Sequence, residues 1–276
     1  MPSEKLLTPE EIETICRYLV GFGIEELRIT GGEPTVRREF RDITARLARL
    51  PVKKLGLTTN GFLLQAHLSF IKDVGCHHIN VKIDSRNEDR YNNITRSHGY
   101  KKVMRAIYAA LELGLNVKIN TVLMRGRNDD ELEEFIKFSA ATGVEVRFLE
   151  MMKIGQACAS QTDRFIAAAE MIERLRAFTD LQPVAVPRDS TSFNFATSDG
   201  ARIGFIASES QPFCGNCSRW RLSSDGMLRA CLMSEAGVSV RGLSAAEIAA
   251  RIPAVLKLKP NYRIEAVGQD MNQIGG

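Results

Sequence analysis

A chain of 276 residues, 44% of them hydrophobic, is long enough to fill one large domain or two unequal ones around a real core. A net charge of +4 and a pI near 8.7 are too mild for a general nucleic-acid coat, and no apolar run reaches membrane-spanning length. The first residues lack the apolar core of a signal peptide, and six cysteines without a secretion signal point to a reducing, cytoplasmic compartment where thiols bind metals and disulfides are rare.

Thr8-Pro9-Glu10-Glu11 reads as a helix start, with Thr8 capping, Pro9 at the first helical position and Glu11 closing the capping box; Gly21-Phe22-Gly23 stops it. Short apolar runs then predict strands over 26–30, 54–58, 78–83, 116–123 and 145–149. Helical patterns fall between them over 38–50, 64–74, 100–113 and 129–141. Strands alternating with helices imply βαβ units and a parallel sheet, open or rolled into a barrel. After Met152 the rhythm breaks. Residues 153–164 read as a polar linker, 165–178 as a helix, and Ser198-Asp199-Gly200 and Ser224-Asp225-Gly226 as turns between β-like segments. A helix over 244–256 precedes a polar tail ending Ile274-Gly275-Gly276. The expected organisation is an α/β part over 1–152 and a smaller α+β part over 153–276.

Chemistry in parallel α/β folds collects at the carboxyl ends of strands. Those ends carry Thr30-Gly31-Gly32-Glu33-Pro34, where paired glycines allow close backbone approach and Glu33 suits an ammonium group, and Thr58-Thr59-Asn60-Gly61, which also suits a plain cap and turn. Lys82-Ile83-Asp84-Ser85 is polar for a buried element. Lys118 lies mid-strand and needs a partner, and Arg147 and Met152 occupy candidate positions on the fifth strand.

The acids Asp129, Asp130, Glu131, Glu133 and Glu134 suit a helix N-terminus, and Leu132, Phe135, Ile136 and Phe138 form a core face at helical spacing. His77-His78 reads as a strand entrance, Cys16 and Cys76 as packing cysteines, and Cys158 has no assigned role.

Cys214, Cys217 and Cys231 form C-x2-C followed by a third cysteine, with Arg219 and Arg221 just behind the pair. Thiolates at this spacing suit a soft metal centre. Structural zinc wants four closed ligands, and all four histidines precede residue 100, so a zinc knuckle needs a remote fourth ligand. An iron–sulfur cluster on three thiolates keeps one iron open, and the neighbouring arginines favour an anionic ligand there.

Taken together, Arg28-Ile29-Thr30-Gly31-Gly32-Glu33-Pro34, Thr58-Thr59-Asn60-Gly61, Lys118-Ile119-Asn120-Thr121-Val122, Arg147-Phe148-Leu149-Glu150-Met151-Met152, the cysteine triad and the terminal Gly275-Gly276 resemble the GTP 3′,8-cyclase family along nearly the whole chain. These are radical S-adenosylmethionine (SAM) enzymes, lyases that open molybdenum-cofactor biosynthesis. The resemblance implies a partial (β/α) barrel followed by a C-terminal region whose [4Fe–4S] cluster, on Cys214, Cys217 and Cys231, binds the guanine of GTP. It implies GTP contacts at Arg28, Thr59, Lys118, Arg147, Arg219, Trp220 and Arg221, and a SAM pocket at Gly32, Glu33, Lys82 and Met152. The Gly-Gly tail would reach the active site. The partner expected next in the pathway is cyclic pyranopterin monophosphate synthase, and a homodimer is compatible.

Two departures from the family pattern stand out. The strand bearing C-x3-C-x2-C, which holds the SAM-cleaving cluster, does not precede Met1-Pro2 in this sequence, so the reading is an N-terminally truncated barrel lacking its first strand. Lys82 stands where the family usually has a serine, and an ammonium beside a sulfonium repels it unless screened. The expectation divides accordingly: a GTP cyclase by lineage, with a catalytically incompetent GTP- and cluster-binding relic as the alternative.

Overall fold

A computed structural model of the chain describes residues 6–268; the Gly275-Gly276 tail lies outside the described residues. Helix α1 (Pro9–Gly21) begins with the anticipated capping box: the Glu11 N–H donates to the Thr8 hydroxyl, and the Thr8 N–H donates to the Glu11 carboxylate. Strands β1 (Glu26–Ile29), β2 (Lys54–Thr59), β3 (His78–Lys82), β4 (Asn116–Val122) and β5 (Glu145–Leu149) follow as parallel neighbours.

The rhythm does not stop at Met152. Strand β8 (Arg202–Ile206) adds parallel to β5, and β7 (Phe193–Ala196) and β6 (Gln182–Val184) complete an eight-stranded sheet as antiparallel neighbours. The sheet is open, with β1 and β6 at its two ends. Ser198-Asp199-Gly200 is the β7–β8 turn, where Gly200 takes φ +88°, a conformation glycine adopts without steric cost. Residues 153–164 are not a linker either: they contain α7 (Gln161–Arg164), and Ile154 bridges in parallel to Val267.

The two sheet faces are chemically opposite because side chains alternate along a strand. One face, with Leu57, Ile79, Ile119, Val146, Phe148 and Phe205 fully buried, packs in one core with α2 (Phe40–Ala48), α3 (Leu68–Asp73), α5 (Tyr100–Glu112), α6 (Leu132–Thr142) and α8 (Ala168–Arg176). Leu132, Phe135, Ile136 and Phe138 are buried there as anticipated. The other face carries Arg28, Lys54, His78, Asn80, Lys118 and Arg147. One further helix, α4 (Glu88–Thr95), escapes the periodicity because it is short and polar; Asn87 caps it. The 64–74 pattern divides into a 3-10 turn (Leu64–His67) and α3.

The C-terminal part adds a small antiparallel sheet of β9 (Arg221–Leu222), β10 (Met227–Arg229) and β11 (Val238–Ser239), then α9 (Ala245–Lys257). The Ser224-Asp225-Gly226 turn joins β9 to β10, as anticipated. A second apolar cluster joins this part to the first helix: Leu7, Ile15 and Leu19 pack with Leu228, Val240, Ile248 and Val255. Arg241 clasps the Glu11 carboxylate at 2.9 and 3.2 Å, and the Leu7 N–H donates to Ser224 O at 2.7 Å.

Candidate functional site

Three predicted residues, Arg28 on β1, Lys118 on β4 and Arg147 on β5, line one cavity on the polar face with Lys54, His78, Asn80 and Asn116. Lys118 has the partner its mid-strand position demanded: its Nζ donates to both oxygens of buried Glu145, at 2.9 and 2.8 Å. Glu145 also lies 3.9 Å from Arg147 Nε and 3.9 Å from Arg202 Nη2, so one carboxylate faces three cations. Burial pushes Lys118 below the usual lysine range, and Glu145 works against that shift.

Arg147 is more exposed to this tension. Its Nε and Nη2 are buried without a hydrogen-bond partner, as are the side-chain oxygens of Asn120, its register neighbour on β4, and of Asn194 on β7. Burial brings the Arg147 guanidinium down to about 10 against the opposing pull of Glu145. Native proteins satisfy buried donors and acceptors, so orphans on β4, β5 and β7, the last separated from β5 by β8, mark a place for a polar ligand or water. Glycines make the room. A Cβ at Gly56 would stand 2.9 Å from Arg28 Nη1, and one at Gly204 would stand 2.9 Å from Arg147 Cγ.

The Gly-Gly-Glu-Pro and Thr-Thr-Asn-Gly turns are tied together by Glu33. Its carboxylate accepts from the Thr35 N–H (3.0 Å), the Thr59 hydroxyl (2.7 Å), the Asn60 N–H (2.6 Å) and the Thr35 hydroxyl. Glu33 is therefore a brace within the protein, and buried Thr59 turns its hydroxyl to that brace, away from the Arg28–Lys118–Arg147 group. Gly31, at φ +130°, gives the turn its entry. Lys82, beyond the second turn, is 56% exposed and pairs with the buried Asp84 carboxylate at 2.6 Å, so its charge is screened locally.

The cysteine triad is built by the small sheet. Cys214 and Cys217 flank a single 3-10 turn, with the Cys217 N–H donating to Cys214 O at 3.2 Å, and β9 and β10 return the chain to Cys231. All three are free and half-buried. Burial and the nearness of Cys231 and Cys217 push the Cys214 thiol up. Cys217 is also pushed up by burial, but the Arg219 N–H, the Arg219 guanidinium and the Lys259 ammonium together outweigh burial and bring it down. Among the described residues no three His, Cys, Asp or Glu side chains form a ready cage for a single ion. Three soft thiols beside cations nevertheless form a donor set suited to an anionic iron–sulfur cluster.

Around the triad, Arg219 donates to Asp189 O at 3.0 Å and lies 5.3 Å from the Phe213 ring, and burial lowers Arg221. Trp220 packs partly into the second apolar cluster, and Met152 and Cys231 each pack against a third formed by Ile154, Met233 and Val267. Cys16 and Cys76 are core thiols, raised by burial to about 12 and about 11. Glu145 and Glu150 are buried carboxylates with no role read from the sequence, and Glu131, read as a helix N-terminal acid, is buried at the start of α6 without a side-chain cap bond. Glu131 accepts from the Ser85 hydroxyl and the Arg86 N–H, and Glu150 accepts from the Ala168, Glu209 and Ser210 N–H groups.

A parallel sheet with a Gly-Gly-Glu-Pro turn at its first strand end defines the class: residues 1–139 match the Radical SAM superfamily model, and residues 144–263 match the Molybdenum Cofactor Synthesis C model. A solved structure of Streptococcus suis SuiB bound to its precursor peptide SuiA shares the fold, with a TM-score of 0.51 at 14% identity over 62% of this chain and 39% of that one. GTP 3′,8-cyclase of Synechocystis sp. is 42% identical over 98% of this chain and 83% of its own length. That of Aquifex aeolicus is 36% identical over 87% and 76%, and molybdenum cofactor biosynthesis protein 1 of Drosophila melanogaster is 36% identical over 87% of this chain and 43% of its own. The chain belongs to the GTP 3′,8-cyclase family, a family of radical SAM enzymes. Among the described residues no helix is long and apolar enough to cross a membrane.

Proposed function

We propose that this chain seats GTP between the cationic sheet face and the cysteine triad, in the lyase reaction that forms (8S)-3′,8-cyclo-7,8-dihydroguanosine 5′-triphosphate. The observation that carries the reading is the buried Arg147 guanidinium, whose Nε and Nη2 lack a hydrogen-bond partner beside Lys118 and Arg28. A triphosphate supplies several anionic acceptors at once, and planar guanidinium forks match them.

In this reading Arg28, Lys118 and Arg147 hold the phosphates from the sheet, and Arg219 and Arg221 approach from the cysteine loop. Thr59 acts one step removed, by fixing Glu33 and the two turns. Trp220 contributes by packing the loop against the second apolar cluster. Cys214, Cys217 and Cys231 would hold a [4Fe–4S] cluster, which would supply an open coordination position for the guanine. The Gly31–Gly32 turn, Lys82 and Met152 border the SAM seat, where the Asp84 carboxylate screens Lys82 from the sulfonium. The hydrogen-abstracting radical at ribose C3′ would come from SAM cleaved at a second cluster, and no C-x3-C-x2-C that would hold that cluster is present among these 276 residues. The chain's residues orient the nucleotide so that C3′ and guanine C8 meet, and exclude water from the cavity. Residues 1–152 thus serve mainly SAM and the phosphates, and residues 153–276 the cluster and the base. The product passes to cyclic pyranopterin monophosphate synthase in the cytoplasm.

Anaerobically purified protein tests both halves. Iron and acid-labile sulfide should be present and should fall sharply in Cys217→Ser; zinc without sulfide would refute the cluster. GTP affinity, read through the single tryptophan, Trp220, should fall at least tenfold in Arg147→Met and in Arg221→Ala. Unchanged affinity in both would overturn the substrate assignment.

A further inference from the structure

Lys259, two residues beyond the end of α9, reaches back to the cysteine site. Its Nζ donates to Arg219 O at 2.6 Å, to Ala230 O at 2.8 Å and to Cys217 Sγ at 3.4 Å. Arg219 lies two residues after Cys217 and Ala230 immediately precedes Cys231, so one ammonium fastens both limbs of the triad. Three N–H donors meet three acceptors, which leaves no proton of the ammonium spare.

The charge is as informative as the geometry. The partly buried lysines of the large sheet each face a carboxylate: Lys118 faces Glu145 and Lys54 faces Glu26. Lys259 is partly buried too, yet among the described residues it pairs with no carboxylate; its partners are two neutral carbonyls and a sulfur. Partly buried charges are normally compensated. The group in contact with Lys259 that can become anionic is the Cys217 sulfur, and it does so on binding metal.

We infer that Lys259 is a positioning residue of the cysteine site: a cationic hydrogen-bond donor to the Cys217 thiolate that raises the reduction potential of the cluster held there. A fixed positive charge favours the cluster state carrying one more electron, and hydrogen bonds to ligand sulfur act in the same direction. The inference rests on the reading that Cys214, Cys217 and Cys231 hold a [4Fe–4S] cluster.

The test uses the full chain, reconstituted anaerobically and titrated with dithionite in the presence of low-potential mediators, with the reduced cluster read by electron paramagnetic resonance. Lys259→Gln keeps a donor and removes the charge; Lys259→Arg keeps both. Iron and sulfide should be retained in both. The midpoint in Lys259→Gln should move negative enough that the reduced-to-oxidised ratio at the wild-type midpoint falls by about tenfold, while Lys259→Arg stays near wild type. Loss of the cluster in Lys259→Gln but not in Lys259→Arg would also support a charge requirement. An intact cluster with an unchanged midpoint in Lys259→Gln would overturn the inference, as would equal loss of the cluster in both variants, which marks a brace for two carbonyls and nothing more. Cys217→Ser separates the premise: full iron and sulfide in that variant would refute the cluster assignment itself, whatever the Lys259 variants do.

Discussion

Arg147 lies across Gly204. The two are register partners on β5 and β8, and a Cβ on residue 204 would stand 2.9 Å from Arg147 Cγ and 3.0 Å from Asn194 Oδ1. Real Cβ atoms do not come so close, so the missing side chain of one strand is the space occupied by the arginine of the next. Gly204→Ala should therefore push Arg147 out of its place. Overpacking of this kind costs about 1–3 kcal/mol of stability. The more specific expectation is a loss of GTP affinity of at least about tenfold, roughly 1.4 kcal/mol, measured by titration on protein still folded at the working temperature. A lowered melting temperature with unchanged GTP affinity would separate packing from binding and count against Arg147 as a phosphate ligand.

Glu145 should behave as a counter-ion that the cationic face needs even without substrate. Removing one member of a fully buried pair costs about 3–5 kcal/mol, and the 31% exposure of Lys118 reduces this. Glu145→Gln is expected to destabilise by about 1–2 kcal/mol in denaturant titration. The pH sign follows from Lys118, whose folded-state pKa lies below the unfolded value. Folding therefore releases its proton, and the cost of carrying that charge falls as pH rises from the folded pKa to the unfolded one. If Lys118 holds the phosphates as proposed, GTP binding runs the opposite way: affinity should decline with rising pH before the ordinary lysine range. In Glu145→Gln the decline should begin at still lower pH. An identical alkaline profile in both proteins would show that Lys118 does not hold the phosphates.

How much of this was legible in the sequence depends on whether local pattern or distant pairing decides it. The capping box at Thr8 and the apolar run around Lys118 are local, and each gave the right element. The Ser224-Asp225-Gly226 turn is equally local and placed Cys231 beside the cysteine pair. The return of β8 to β5 was hidden because about fifty residues and an antiparallel hairpin intervene, which reads as a break in rhythm. Glu33, conspicuous at a strand end, is a brace because Thr59 and Asn60 face it from another strand end. Glu145 and Lys259 were silent for the converse reason: a single charged residue shows its importance only when the fold brings a lysine or a sulfur against it.

The clasp between α1 and the small sheet should be acid-sensitive. Hydrogen bonds from Arg241 and from Thr8 hold the Glu11 carboxyl below its usual range. A lowered folded-state pKa means that its contribution is complete above the unfolded pKa of about 4.3 and fades as pH falls through the folded value. Trp220 touches the same apolar cluster, so its fluorescence reports the clasp. Glu11→Gln should weaken the clasp at neutral pH and remove part of the change in Trp220 emission seen below about pH 4 in the parent. Superimposable acid titrations would mean that Arg241 does not couple the helix to the cysteine region.

Lys82 and Asp84 offer a test of the proposed SAM seat that is independent of catalysis. The ammonium and the carboxylate are 2.6 Å apart, and Asp84 is 2% exposed, so the pair presents little net charge to a sulfonium beside it. Asp84→Asn keeps the shape and an acceptor for the Val122 N–H, which now donates to Asp84 Oδ1 at 3.0 Å, but it leaves Lys82 uncompensated. SAM affinity, measured by equilibrium dialysis, should fall by about threefold to tenfold, roughly 0.7–1.4 kcal/mol, the range expected for like charges near a partly solvated surface. Lys82→Ser removes cation and repulsion together and should bind SAM at least as well as the parent. The double variant should bind SAM more weakly than Lys82→Ser, in which the unscreened Asp84 carboxylate itself attracts the sulfonium. If Asp84→Asn binds SAM normally, Lys82 points away from the sulfonium, and the SAM seat does not include it.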